Sequence, residues 1–420
     1  MKRRLLPILM TLVLVCALPI WAAFVTSGDV TNPLVSTAGA AEPSVPVEVS
    51  TAADLQSNID AGNSVKLTKN IDINTALNVT STLTLDLNGC TLRMTGDGSV
   101  LKVSGRATLT IQDSSAEGTG TITGGNAVDG GGVYIDNNAT LKMTGGCITG
   151  CHASYGGGGI RSSGNLYMSG TAKIEKCTSN WGSDDAIWNK EGVIYADGGT
   201  VDGMVNSQGT ITCSNGTNAN AATVFNKTVY LRGSNQTTRC IEAGTYNGTV
   251  ENTGSITGGT FYGTVRNQKN SMGLNITGSV TGGTFYGPIV NEVGPGQVTG
   301  GTFAVRFDTD GGSEIEPTTV KHSRKVQPPS DPEKSGHTFI DWYLGVVPYD
   351  FDTPVTAPLT LTAKWEKVPS SGGYYYYQPT TDTKTTDTKG SPKTADPGVA
   401  LYAALSLLSL TGLTCITKKR

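Results

Sequence analysis

Ser255-Ile-Thr-Gly-Gly-Thr-Phe-Tyr-Gly-Thr-Val-Arg-Asn267, Ser279-Val-Thr-Gly-Gly-Thr-Phe-Tyr-Gly-Pro-Ile-Val-Asn291 and Gln297-Val-Thr-Gly-Gly-Thr-Phe303 are three versions of one unit. Each has a short β-branched strand, a Gly-Gly corner, a second strand carrying an aromatic, and in the two longer copies an Asn at the next corner. Such a unit cannot bury its apolar face alone, so stacked copies must bury it for one another. Short strands, glycine corners and the lack of helical periodicity predict a parallel β-helix, with fainter copies reaching back to about Gly130. Gly132-Val-Tyr, Gly159-Ile-Arg and Ala186-Ile-Trp align at equal intervals and set the length of the earlier coils.

Composition agrees with a β-solenoid. Glycine is 55 of 420 residues, about 13 % against a usual ~7 %, and charged residues are 15 % against a usual ~25 %. A net charge of −3 gives no electrostatic footprint for nucleic acid.

Five segments follow from the composition: 1–40, 41–303, 304–366, 367–390 and 391–420. Lys2-Arg3-Arg4 before the apolar run Leu5 to Ala23 has the layout of a secretory signal, with cleavage after Ala22, Ser27 or Ala40. An uncleaved N-terminal anchor is the alternative. Residues 50–60 form the one amphipathic helix of the 41–303 segment: Ser50 or Thr51 is the N-cap, Asp54 lies in the first turn, Leu55 and Ile59 share a face, and Gly62 stops it. Placed over the first coil, it would cover strand edges that are otherwise open. Alternating strands follow from Val65 to Leu87, and an Asn88-Gly89 turn leads to Thr91-Leu-Arg-Met94. This stretch resembles the N-terminal cap of right-handed parallel β-helix proteins, and the resemblance supplies the handedness.

Two features run up the stack. Asn closes an apolar strand at Asn189, Asn206, Asn226, Asn252, Asn267 and Asn291, where stacked amides can bond from coil to coil as a ladder. The intervals between them are irregular, so some coils carry loops and the one from Asn252 to Asn267 is very tight. Cys151 and Cys177, one coil apart to within a single position, fall at nearly the same corner of neighbouring coils. Stacked strands about 4.8 Å apart allow either a disulfide or a buried thiol stack there. The cysteines of the mature region form no CxxC pair, so zinc is not expected.

After Phe303 the pattern changes. Val305-Arg-Phe-Asp-Thr-Asp-Gly-Gly312, Gly336-His-Thr-Phe-Ile-Asp-Trp-Tyr343 and Leu359-Thr-Leu-Thr-Ala-Lys-Trp365 describe three or four strands around Phe307, Phe339, Trp342, Phe351 and Trp365, with Gly311-Gly312 as a hairpin turn. Residues 305–366 closely resemble the Listeria–Bacteroides (internalin B-type) repeat, a small β-grasp-like module of bacterial surface proteins. A single copy, where the family usually has tandem ones, implies a capping or binding role, and the module is expected to unfold separately from the coils. Residues 367–390 read as a Thr-rich linker.

At the C-terminus Ser391, Pro392, Lys393, Thr394 and Ala395 precede an apolar stretch, Val399 to Thr417, and a terminal Lys418-Lys-Arg420. At ~1.5 Å per residue this stretch spans roughly the ~30 Å hydrocarbon core, and the basic end stays cytoplasmic. The arrangement resembles a Gram-positive sorting signal, which implies sortase and peptidoglycan as partners and cleavage after Thr394. Ser391 and Ala395 depart from the family's Leu and Gly, and membrane anchoring without cleavage is the alternative.

Catalytic chemistry is sparse. His152, His322 and His337 are far apart, and Asp308-Thr-Asp310-Gly311 lacks the downstream ligands of a calcium loop. Asp184-Asp185 between Trp181 and Trp188 is the one carboxylate cluster, but neighbours on a strand face opposite ways. No catalytic residue, metal or cofactor is therefore expected. The chain reads as an exported, surface-anchored, adhesin-like protein with a glycan or protein ligand. A polysaccharide-cleaving β-helix enzyme is the alternative.

Overall fold

The computed structural model describes residues 45–180, 185–214, 223–232, 240–268, 278–292 and 297–369. The signal-like N-terminus, residues 370–390 of the linker and residues 391–420 lie outside them, whereas Lys367, expected to open the linker, is the last residue of strand Leu359–Lys367. The described residues are all-β apart from one helix, and their strands wind into a solenoid with three long parallel sheets.

Each coil contributes one strand to each sheet. The first sheet runs from Val47–Val49 to Ser279–Val280, the third from Leu77–Val79 to Ile289–Asn291. The second starts at Ile71–Ile73 and reaches Thr302–Asp308 before continuing beyond the solenoid. Neighbouring coils pair in register, as in Val133↔Ile160↔Ile187 and Val250↔Val265↔Ile289. On the second sheet the inward apolar side chains are aliphatic in the early coils and become aromatic later, whereas those of the first and third sheets stay aliphatic. Phe225, Tyr246, Phe261 and Phe285 are fully buried and stack face to face, with centroids 5.0, 4.8 and 4.7 Å apart. Offset stacking adds to their area burial, and the ~4.8 Å coil spacing enforces it.

The tight coil forms as the asparagine spacing predicts: Ile241 pairs with Ile256, and Asn252 with Asn267. Its strands have only two or three residues, and glycines make the corners. A Cβ on Gly248 would sit 2.2 Å from the Lys227 carbonyl oxygen of the coil before it, so no larger residue fits there.

Helix Ala52–Asp60 starts at Thr51, whose Oγ1 accepts from the Asp54 N–H at 3.1 Å. Leu55 and Ile59 are buried on the first coil, and Gly62 follows with φ +76°. Strand Val47–Val49 adds a further edge beside Val65–Leu67, an element that the short, proline-flanked sequence does not announce. A second unannounced element is a small fourth sheet of Asn126–Asp129, His152–Gly156 and Thr178–Ser179, which stands beside the third sheet.

At its far end the second sheet runs without a break into the Listeria–Bacteroides-like module. Strand Thr302–Asp308 pairs in parallel with Thr284–Phe285 of the last coil and with Leu359–Lys367 of the module, and antiparallel with Thr318–Lys321. His337–Leu344 and Val347–Pro348 complete five strands rather than three or four. A division at 303/304 falls inside one strand, and Phe303 packs on the tilted ring of Phe285 at 5.8 Å. The module is therefore not structurally separate from the coils. Phe307 and Phe339 meet Trp342 at 5.1 and 5.4 Å, and Trp365 donates through Nε1 to the Thr309 carbonyl at 2.9 Å. Gly311-Gly312 belongs to the longer connection 309–317 rather than to a two-residue hairpin, and a Cβ on Gly312 would collide with the Trp365 ring at 2.5 Å.

Candidate functional site

Alternation along a strand sends every second side chain outward. On the third sheet the register therefore assembles an external row of Lys102, Tyr134, Arg161, Trp188, Asn206 and Tyr230, which continues to Glu251 and Arg266. Each is a full coil from the next in sequence, and stacking alone brings them together. Beside the row stands the small fourth sheet, which forms a wall. Between row and wall lie two hollows, one of about 480 Å³ lined by Lys102, Asp129 and Tyr134, the other of about 270 Å³ lined by Tyr155, Asp185, Trp188, Tyr230 and Arg232.

Arg161 lies between the hollows. Its guanidinium carbon is 4.6 Å from the Tyr134 ring centre and 5.7 Å from that of Trp188, and the residue is only 8 % exposed. Tyr155 on the wall meets Trp188 at 5.1 Å, and Arg232 covers Tyr230 at 3.8 Å. Trp188 can lie this low because Gly156 has no side chain: a Cβ there would be 3.0 Å from Cε3 of the indole.

The polar groups of this face are incompletely satisfied. Arg161 Nε, Trp188 Nε1, Asp129 Oδ1, Asp185 Oδ1 and Asn206 Oδ1 are all buried without a hydrogen-bond partner. An orphaned buried polar atom costs about 1–3 kcal/mol, so these five atoms weigh against stability rather than for it. Asp185 Oδ2 accepts the Gly157 N–H at 3.0 Å. Burial pushes its carboxyl above the ordinary range, outweighing the lowering by Ser179 and by that N–H. Further along, burial also raises Glu251, which the nearby Arg266 opposes.

Asp184 and Trp181 lie outside the described residues, so the Asp184-Asp185 cluster is represented by Asp185 and Trp188. These two are on one strand of the groove, Asp185–Asn189. Sequence reasoning missed Tyr134, Arg161 and Tyr230. The available signal was the equal-interval alignment of the early coils, which already sets Tyr134, Arg161 and Trp188 in one column.

The six asparagines do not form one column. The register aligns Ser162, Asn189, Ser207, Leu231, Asn252, Asn267 and Asn291. Asn252 Nδ2 donates to Asn267 Oδ1, and Asn267 Nδ2 to Asn291 Oδ1, both at 2.8 Å. Asn189 donates instead to Ser207 Oγ at 3.1 Å, and Leu231 interrupts the run. Asn206 is one residue out of step, and with a period of two that turns it to the outer face. Asn226 follows a strand of the second sheet and accepts from Asn247 Nδ2 at 2.9 Å.

Cys151 and Cys177 occupy equivalent corners, with Thr178 N–H bonded to the Cys151 carbonyl at 2.9 Å, and both are buried free thiols. Each Sγ faces a carbonyl two residues back in its own coil, Thr149 at 3.5 Å and Glu175 at 3.3 Å. The contact with Cys151, and then burial, push the Cys177 thiol up. Burial takes the neighbouring Cys147 to about 11.

Among the described residues no group of three or more His, Cys, Asp or Glu side chains is placed to hold a metal ion. No helix among them is long and apolar enough to cross a membrane, and the stretch 399–417 lies outside them. Ser391 to Ala395 lie outside them too.

The module built on the shared strand, the Trp365 anchor and the Phe307–Trp342 contact has known counterparts. Residues 303–364 match the Listeria-Bacteroides repeat domain. Two proteins of Evansella cellulosilytica, named "Putative membrane protein" and "Putative Gly-rich membrane protein", are each 35 % identical over 68 residues. That is 15 % of this chain and 10 % and 8 % of theirs, so the chain matches about a tenth of these relatives' length. No solved structure matches the chain. A Listeria–Bacteroides repeat and relatives named as membrane proteins are consistent with a surface or membrane-associated protein.

Proposed function

We propose that this chain is an adhesin-like binding protein displayed on a Gram-positive surface, with the solenoid as a stalk whose flank contacts a glycan or protein. The observation that carries the proposal is the row Tyr134, Arg161, Trp188 and Tyr230, a set of aromatic and guanidinium groups on the outer face beside a wall, with buried polar atoms left unpartnered. Tyr, Trp and Arg are the side chains that dominate binding surfaces, because they offer large contact area at small conformational cost. The N-terminal leader exports the chain. Ser391 to Ala395 present it to sortase, which forms a thioester with the Thr394 carbonyl, releases the amine of Ala395, and transfers Thr394 to a peptidoglycan amine.

Attachment is tested by mass spectrometry of chain released from walls by muramidase. The expected C-terminus is Thr394 linked to a wall peptide, and Thr394→Ala keeps the chain in the membrane fraction. Recovery of wild-type chain still carrying Tyr402 and Lys418 would show a membrane protein without sorting.

One observation favours a polysaccharide-cleaving enzyme instead: Asp185, a groove carboxyl raised towards its protonated form, as a general acid requires. Against this, the residue is 3 % exposed and its Oδ2 is tied to Gly157. Glycan product release that Asp185→Asn abolishes would replace the adhesin proposal.

A further inference from the structure

The groove has the dimensions and chemistry for one class of ligand, an inference that rests on the binding-protein proposal above and narrows it. Tyr134, Trp188 and Tyr230 recur on every second coil of the third sheet, with Arg161 and Asn206 on the coils between. Coil spacing of about 4.8 Å makes this interval about 9.6 Å, and the three rings span about 19 Å. Two linked pyranose rings cover one such interval, so a chain of sugars laid along the solenoid axis meets a ring at every second residue. Pyranoses have an apolar C–H face that stacks on aromatic rings and a rim of hydroxyls that both donate and accept.

The groove offers the matching set. The hollows flank Arg161, so the chain of sugars crosses its guanidinium in passing from Tyr134 to Trp188. Tyr155 rises from the wall beside Trp188 and is 52 % exposed, giving the ligand a side as well as a floor. Charge along the groove is mixed, with Lys102, Arg161 and Arg232 against Asp97, Asp129 and Asp185, so a hydroxyl-rich ligand suits it better than a polyanion. The two cations nearest the rings are each held over an aromatic face, Arg161 over Tyr134 and Arg232 over Tyr230. Each cation thus takes one face of its ring and is held against the floor.

The geometry points to a binding groove for a linear polysaccharide of pyranose sugars, running along the solenoid axis over Tyr134, Arg161, Trp188 and Tyr230.

The test uses the full chain secreted from a Gram-positive host, titrated by calorimetry and tryptophan fluorescence with cellohexaose, chitohexaose and hexagalacturonate. The expected result is saturable binding of a neutral hexasaccharide, with the disaccharide of the same sugar at least about tenfold weaker because it reaches one ring instead of three. Trp188→Ala weakens binding by about tenfold and Tyr230→Ala by several-fold, since each removes one stacking platform. Gly156→Ala, which displaces the Trp188 ring without deleting it, has an effect in the same direction. Tyr262→Ala, an exposed ring on the second sheet, leaves binding unchanged and shows that the fold tolerates loss of a surface aromatic. Binding of none of the three hexasaccharides overturns the inference, as does an unchanged affinity in Trp188→Ala. Preference for hexagalacturonate over both neutral sugars overturns the neutral assignment. The sorting experiment reads location and not affinity, so a wall-linked chain with an inert groove would sink this inference and leave surface display standing.

Discussion

Replacing Phe261 by Ala tests whether the aromatic column is what holds the later coils together. The ring is fully buried and lies between Tyr246 at 4.8 Å and Phe285 at 4.7 Å, within 10° of parallel to both. Backbone bonds fix the coils above and below, with Tyr262 N–H to the Tyr246 carbonyl and Tyr286 N–H to that of Phe261, both 2.8 Å. The neighbouring coils thus have little freedom to collapse into the space. Phe→Ala in a core costs about 3–5 kcal/mol, and a site that cannot collapse belongs at the upper end. With an unfolding entropy of about 2.1 cal/mol/K per residue, roughly 320 residues melting together give a drop in Tm of about 6–7 °C. The assay is scanning calorimetry against Tyr262→Ala, whose ring stacks at 4.8 Å on Tyr286 but is 52 % exposed, so that its loss should cost under about 1 kcal/mol. A Phe261→Ala shift no larger than that of Tyr262→Ala would refute the reasoning.

Two further outcomes follow from the same packing. Phe303→Ala should lower the stability of the coils and of the Listeria–Bacteroides repeat in one transition, because its strand belongs to both; two well-separated calorimetric transitions in the wild-type chain would contradict this. Asp113 is raised by burial but lowered more by the Gly120 N–H, the Ser115 hydroxyl and the Gly89 N–H, so its folded pKa lies below the ordinary 3.8. Its contribution is complete above the unfolded pKa and is lost as pH falls through the folded one. Asp113→Asn should therefore reduce the urea midpoint at pH 7, with a gap from wild type that narrows as the pH falls below 3.8, and a gap that does not change with pH would exclude the ionic contribution.

The sequence by itself determined the solenoid. Gly-Gly corners and β-branched pairs at Ile256, Val280 and Val298 leave few ways to bury an apolar face except on the next copy. It also determined the helix at Ala52–Asp60 through its cap and its Leu55–Ile59 pair, and the repeat through the aromatic spacing from Phe307 to Trp365. These signals are local: each is complete within a few residues or within one motif.

What the tertiary structure decided was the face on which a residue appears. Coils of unequal length, as between Leu109↔Leu141 and Ile241↔Ile256, change the count between equivalent positions, and a slip of a single position reverses a strand's sides. Asn206 and Asn267 both close similar strands, yet one lies outside and the other in the ladder. Tyr134, Arg161 and Trp188 form a groove floor only once their coils are stacked, and the fourth sheet beside them uses residues that read as corner loops. A corner becomes a strand when a neighbouring coil offers it unpaired N–H and C=O groups, and that neighbour lies a full turn away in the sequence.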